Sequence, residues 1–284
     1  MSHEITSGEM MSDKVLRGKG RPFDWRYTPG LGQYTALILV FLYAPLLILV
    51  IYAFNSSSMI TVWQGFSFRW FVQIAQNGDI RSAALNSLII AVVAMIASTI
   101  IATAGALALE RGISFFGRGL VTMMISMPLV VPEIIVAICT LVFFSAIGMH
   151  SGLTNLMIAH TVFCIPFAIL PIQARLRDMG RSLEEAGRDL YASEWQLFRR
   201  ITLPLLMPAI AAGAIMAFVV SLDDFLISMM VSGAGSTTLP VYVYGMMRLG
   251  VTPEVNAIST VLLGVSLIFV GAALFLGRRN RRGG

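Results

Sequence analysis

The chain has 284 residues, 57% of them hydrophobic and only 12% charged, with a formal net charge of +5 and a mean hydropathy of +0.80. A soluble domain carries roughly 25% charged residues, so this composition excludes an ordinary soluble protein and points to a membrane one. The isoelectric point of about 9.6 is no signature of nucleic-acid binding, because the basic residues are distributed loop by loop.

An apolar run of about 20 residues crosses a bilayer as a helix, the form that satisfies every backbone polar group within the segment. Residues 34–54, 84–109, 119–146, 154–174, 204–231 and 256–277 qualify, which predicts an all-α polytopic protein with six spans. Residues 1–33 carry acids, bases, Pro22 and Pro29 but no apolar core of a signal peptide, so the first span reads as a retained anchor. Of the 20 Lys and Arg residues, 17 fall in the two tails and in the loops after the second and fourth spans; only Arg69, Arg81 and Arg248 lie elsewhere. The positive-inside rule therefore places both termini, 1–33 and 278–284, and the segment 182–203 in the cytoplasm. Residues 34–277 form one six-span membrane domain. Cys139 and Cys164 fall inside spans, where a thiol behaves as a small hydrophobe.

The loop 55–83 holds Trp63, Trp70 and several Phe, either an interfacial aromatic belt or a surface for an external partner. The third span reads "MPLVVPEIIV"; Pro128 and Pro132 predict a kink or break just before Glu133. The fifth span, "MPAIAAGAIMAFVVSLDDFLIS", is rich in small residues, as expected of a helix packed inside a bundle. "SGAGS" at 232–236 reads as an external turn, and His3, His150 and His160 are scattered singly.

The charged stretch "EEAGRDLYASEWQLFRRITLP", 184–204, interrupts this apolar pattern. Ser182 with Glu185 and Ser193 with Gln196 each have the spacing of a capping box, predicting two short helices with a turn at Tyr191 to Ser193. Leu183, Ala186, Gly187 and Leu190 share one face of the first, Trp195, Phe198 and Ile201 one face of the second, and Glu184 and Arg188 pair at i,i+4. Pro204 is expected to end one helix and begin the next. By periodicity alone this is equally an amphipathic connector lying on the membrane surface.

Glu185, Ala186, Ile201, Leu203 and Pro204 stand at the spacing of the EAA motif, and the segment resembles the coupling helices of ABC-importer permeases. Gly187 replaces the motif's second Ala and Tyr191 its Gly; because Tyr adopts φ > 0 only with strain, the bend is expected later, at Ala192-Ser193, or wider. The resemblance implies a type I ABC importer permease fold, a separate motor of two ABC ATPase subunits that hold ATP and Mg, a sister permease subunit forming a heterodimer with this chain, an external soluble binding protein, and a bacterial inner-membrane location. The chain itself has no Walker A lysine, since Lys14 and Lys19 are its only lysines and neither precedes Ser or Thr. No catalytic or metal-binding constellation is apparent, so no enzyme and no bound cofactor is expected.

Glu133, Asp223 and Asp224 lie inside spans with no Lys or Arg to pair with, which predicts a pathway that accepts cations. On one continuous helix Gly213, Ala217, Ser221, Asp224 and Ser228 would form a polar stripe, making Asp224 the path-lining acid and leaving Asp223 to a neighbouring helix or subunit. Structural hydrogen bonding or a protonated acid is the alternative role. "SLDD", "FLYAP…YAFNSS" and "PEVNA" resemble polyamine permeases of the putrescine and spermidine type. Rivals are ABC import of thiamine, ferric iron or an opine, and a proton-coupled secondary transporter that uses Glu133 and Asp224 as its relay.

Overall fold

The computed structural model describes residues 31–59, 62–112, 116–250 and 252–281; the tail 1–30 and residues 282–284 lie outside them. The chain divides into two compact units, 1–49 and 50–284. Helix α1 (Leu31–Ala53) crosses that boundary, and it is apolar along its length. The rest of the described chain is helical too: α2 (Arg69–Gln76), α3 (Gly78–Arg111), α4 (Arg118–Ser126), α5 (Glu133–Ala146), α6 (Leu153–Asp178), α7 (Ser182–Asp189), α8 (Glu194–Leu197), α9 (Leu203–Asp223), α10 (Leu226–Val231), α11 (Leu239–Leu249) and α12 (Pro253–Arg281). Among the described residues five helices are long and apolar enough to cross a membrane, and six if the bent pair α4–α5 is one span. Residues 278–281 of the basic tail continue α12.

The centre of the bundle is α3, α6 and α9. Their contact is built from Ala94, Ala102, Ala106, Cys164, Ala168 and Ala217, with Ile172, Leu176 and Leu206 filling between them. Small side chains allow the backbones to approach, the main source of association where both helix and lipid are apolar. Gly213 marks the limit of that approach: a Cβ there would sit 2.5 Å from the Ala168 carbonyl oxygen.

Helix α3 has 34 residues; at about 1.5 Å per residue it spans roughly 51 Å, well beyond the ~30 Å apolar core of a bilayer. It begins six residues before the expected span, capped by Asn77, whose side chain accepts from the amides of Asp79 and Ile80. Its far end carries Glu110 and Arg111 clear of the apolar section.

The third span breaks where its prolines lie. Helix α4 passes into a 3-10 turn at Met127–Leu129 that contains Pro128, Pro132 is extended, and α5 leaves at 107°. Proline disfavours the helical conformation in the residue before it and has no amide to donate, so two of them four residues apart favour a break here, although Pro166 and Pro171 are accommodated within α6.

The fifth span departs from expectation at both ends. It is not continuous over 204–231: the helix stops at Asp223, Asp224 is extended (ψ 121), and α10 starts afresh at Leu226. Nor does Pro204 separate two helices. Helix α8, a π-turn at Phe198–Thr202 and α9 form one 30-residue rod from Glu194 to Asp223. Proline lacks an amide proton and its ring presses on the carbonyl four residues back; one wider turn upstream absorbs both defects.

In the 54–68 connection, buried Asn55 gathers the chain: its side chain reaches the Val62 carbonyl and the amides of Ser57 and Gln64, and its own carbonyl accepts from Trp70 Nε1 at 2.7 Å. Phe54, Phe66, Phe68 and Phe71 form an aromatic cluster beside it. Residues 233–236 are a turn, closed by the Gly233 amide donating to Ser236 Oγ.

Candidate functional site: a two-helix arm and a buried acidic junction

The segment 182–203 folds as two helices joined at an acute turn. Helix α7 ends in a Schellman motif: the Ala192 amide donates to the Gly187 carbonyl at 3.1 Å and the Tyr191 amide to the Arg188 carbonyl at 2.8 Å. Tyr191 occupies the left-handed position that closes this motif, with φ +59. The bend is therefore at Tyr191 itself, contrary to the later or wider bend expected from its side chain. Local strain of about 1 kcal/mol is the smaller term against two carbonyls left without donors. The Tyr191 ring stands almost entirely in the open.

Gly187 explains the second departure from the EAA pattern. A Cβ there would lie 2.4 Å from Leu197 Cδ2 and 3.2 Å from Ile201 Cδ1. With Gly at this position the π-turn rod sits close against α7, and Leu197 is buried in the contact. The second capping box forms, with Ser193 and Gln196 exchanging hydrogen bonds. The first does not, because the backbone of Arg181 caps α7 and Ser182 is already inside the helix.

The faces of the arm are the reverse of an amphipathic connector lying apolar side down. Glu184 and Gly187 are the buried residues of α7, whereas Leu183, Glu185, Ala186 and Leu190 are exposed. Trp195 is exposed as well and packs its ring on Phe198, with Ile201 half-buried. Leu203 is half-buried and Pro204 exposed at the base of the rod. The expected Glu184–Arg188 pair is absent. Arg188 instead makes a bidentate pair with Glu194 across the turn, at 2.7 and 3.0 Å, and that carboxylate holds the guanidinium above its ordinary pKa. Glu184 turns inward to Arg111 (3.0 Å) and Thr202 (3.0 Å). Removing one member of a buried ion pair costs about 3–5 kcal/mol, far more than the few tenths an exposed helical pair contributes.

The second candidate site lies where the two broken spans meet. Asp224 bridges the break between α9 and α10, and its Oδ1 accepts from the Ser228 amide at 3.1 Å. His160 of α6 joins both sides of the break, Nδ1 to Ser221 Oγ at 2.8 Å and Nε2 to Ser228 Oγ at 3.1 Å, with Asp224 Oδ1 4.0 Å away. Glu133, first residue of α5, lies close enough to Asp224 for the two carboxyls to act on each other electrostatically. Asp224 Oδ2 is buried without a donor. Two acids thus meet at the start of one helix and the restart of another, where helix N-termini favour negative charge.

Within the chain itself the two neighbouring acids of the fifth span differ in exposure. The stripe Gly213, Ala217, Ser221, Asp224 and Ser228 is buried, its first members against α6, and the Asp224 side chain is 1% exposed. Asp223 is the exposed acid and Glu133 is half-exposed. Small and polar residues on one helix face suit close packing as well as they suit a path, and periodicity does not separate the two. The pairings of His160, Arg111, Glu184 and Thr202 do not follow from local spacing because their partners lie far away in sequence. The signal available for His160 was its position, an ionisable ring in the middle of an apolar span.

Comparison with known proteins brings these features together. The model of a family described as "Binding-protein-dependent transport system inner membrane component" matches residues 103–282. The chain is 43% identical over 249 residues to the putrescine transport system permease protein PotI of Escherichia coli (strain K12), covering 85% of this chain and 88% of that one. It is 38% identical over 252 residues to the spermidine/putrescine transport system permease protein PotC of the same organism, covering 89% and 95%. Among solved structures, a bacterial alginate ABC transporter in complex with its pentasaccharide-bound periplasmic protein superposes with a TM-score of 0.66 at 19% identity, over 97% of this chain and 96% of that one. At that identity the likeness concerns the fold.

Proposed function

Since this chain belongs to the family of binding-protein-dependent transport system inner membrane components, and is a transport subunit of an ABC importer and not an enzyme, we propose that it passes a polyamine, putrescine or spermidine, into the cytoplasm. The observation that carries the substrate is the 43% identity to a putrescine permease across nearly the full membrane portion. Acids within the apolar section that have no Lys or Arg partner among the described residues agree in sign with a polyamine cation.

In this reading the arm 182–203 lies in the cytoplasm with both termini. Its exposed Leu183, Glu185, Ala186, Leu190, Tyr191 and Trp195 form the surface offered to an ABC ATPase. Two such ATPases bind and hydrolyse ATP with Mg, and a sister permease completes the path. A soluble external protein delivers the polyamine. The rod Glu194–Asp223 makes the arm continuous with the fifth span, so displacement of the arm is displacement of that helix. It ends at Asp224, the buried acid of the junction.

Asp223 and Glu133 are the acids a passing cation meets first, and Asp224, with Ser221, Ser228 and His160, holds the break behind them. The test is uptake of labelled putrescine and spermidine in a polyamine-import-deficient bacterium that expresses this chain with its neighbouring subunits. Uptake that requires the chain and withstands a protonophore while ATP is maintained supports the proposal. No uptake by an assembled, ATP-hydrolysing complex overturns the polyamine assignment in favour of another cation, and uptake abolished by the protonophore overturns the ATP-driven mechanism. In the same assay Asp223→Asn lowers uptake several-fold with normal assembly; an effect confined to Asp224→Asn would reverse the assignment of the accessible acid.

A further inference from the structure

Resting on the permease reading, we propose that Arg111 is a positioning residue for coupling: it clasps the end of α3 to the arm through Glu184, so that α3, the end of α6 and the arm move as one body.

The guanidinium uses its fork on three partners at once. Nε donates to Glu184 Oε1 at 3.0 Å, and one terminal nitrogen donates to the carbonyls of Leu176 at 3.0 Å and Gly180 at 2.7 Å. Leu176 lies in the last turn of α6, where carbonyls have no helical donor, and a cation at that end is favoured by the helix dipole. Gly180 is in the turn that follows, with φ +61. The same Glu184 oxygen accepts from Thr202 Oγ1 at 3.0 Å. Thr202 belongs to the π-turn at the root of the fifth-span rod. One carboxylate oxygen therefore joins the end of α3, the first arm helix and the base of the rod.

The pair is shielded, with side-chain exposures of 16% and 8%, so water does not compete for it as it does at a surface pair. The neighbouring residue reinforces the junction. Glu110 accepts two bonds from Arg177 at 3.0 and 2.8 Å, its carbonyl accepts from Arg181 at 2.9 Å, and Arg118 stands 3.6 Å from its other oxygen. Apolar packing joins α3 to α6 and α9 along the bundle and would hold these helices together without any clasp. A half-buried arginine with three partners at this one end fixes direction as well as proximity, which sliding apolar faces do not. A lysine keeps the charge but lacks the planar fork, so it cannot hold Glu184 and both carbonyls in the same geometry.

The test uses the complete complex of permeases and ATPases in nanodiscs, with hydrogen exchange compared between the ATP-free and ATP-locked states, and uptake per ATP hydrolysed measured in proteoliposomes. In the unaltered complex ATP changes exchange both in residues 182–203 and in the last turns of α3. In Arg111→Lys, and in Arg111→Gln where it assembles, the arm still responds but the α3 response is lost, and uptake per ATP falls at least fivefold. The double substitution Arg111→Gln with Glu184→Gln is no worse than either alone. An α3 response that persists in Arg111→Lys, or uptake and hydrolysis falling in proportion, overturns the clasp and assigns Arg111 to folding alone. An arm that does not respond to ATP in the unaltered complex overturns the coupling reading itself, a result separate from loss of the α3 response.

Discussion

The two-helix arm and the acidic junction use charge in opposite ways. On the arm, the charged residues Arg188 and Glu194 face water and pair with each other, while the apolar Leu183, Leu190 and Trp195 are left uncovered. At the junction the polar groups are enclosed: His160 joins Ser221 and Ser228, Asp224 Oδ1 accepts from the Ser228 amide, and Asp224 Oδ2 alone is left without a donor inside an apolar bundle. A surface that must meet a partner keeps its apolar groups outside. A break in a membrane helix must find internal partners for every freed group.

The sharpest way to break this comparison is His160→Ala, which leaves two buried serine hydroxyls unpaired and opens a cavity. We expect a loss of about 3 kcal/mol, read as a lower unfolding temperature of the purified complex and weaker membrane expression. Unchanged stability would show that the break is held by backbone packing alone.

Glu185→Ala is the counterpart on the arm. Glu185 is exposed, so assembly and unfolding temperature stay unchanged, while uptake falls about tenfold or more, equivalent to about 1.4 kcal/mol of coupling. Normal uptake would remove Glu185 from the ATPase contact.

Gly187→Ala restores the motif residue at a position where Leu197 Cδ2 would lie 2.4 Å from the new methyl. Gain in helix propensity is about 1 kcal/mol and overpacking costs about 1–3 kcal/mol, so a net loss of about 1 kcal/mol is expected. Adding Leu197→Ala should lessen the damage done by the methyl itself; a purely additive double variant would show that the two side chains do not compete for this space.

The smallest effect is expected from Tyr191→Gly. Relief of the left-handed strain, about 1 kcal/mol, is partly offset by the greater freedom of glycine in the unfolded chain, leaving a gain of about 0.5 kcal/mol. Hydrogen-exchange protection of the Ala192 amide reports it directly. Reduced uptake in this variant would mean that the exposed ring contributes to the ATPase contact.

Much of the arm was legible in advance, because its determinants are local. The Ser193–Gln196 capping box, the EAA spacing and the break at Pro128 and Pro132 each depend on residues a few positions apart. The placement of the turn was not, because Schellman hydrogen bonds outweigh the side-chain preference of Tyr191. The junction was legible only as a set of acids. The continuous helix expected through Asp224 is broken there, and no spacing rule connects that residue to His160 or Glu133.

What the sequence by itself determined is the membrane class, the apolar segments, the excess of basic residues in particular loops and the kind of transporter that its motifs resemble. Each follows from composition or from contacts within a turn or two of helix, where covalent connectivity already brings the residues together. The tertiary structure alone decided which acid is buried, which arginine Glu184 meets, and that the second arm helix is one rod with the fifth span. Arg111 and Glu184 are 73 residues apart, and His160 stands 61 from Ser221. Such pairs form only once α3, α6 and α9 have packed, because the close approach of their small side chains sets which polar groups end up facing one another.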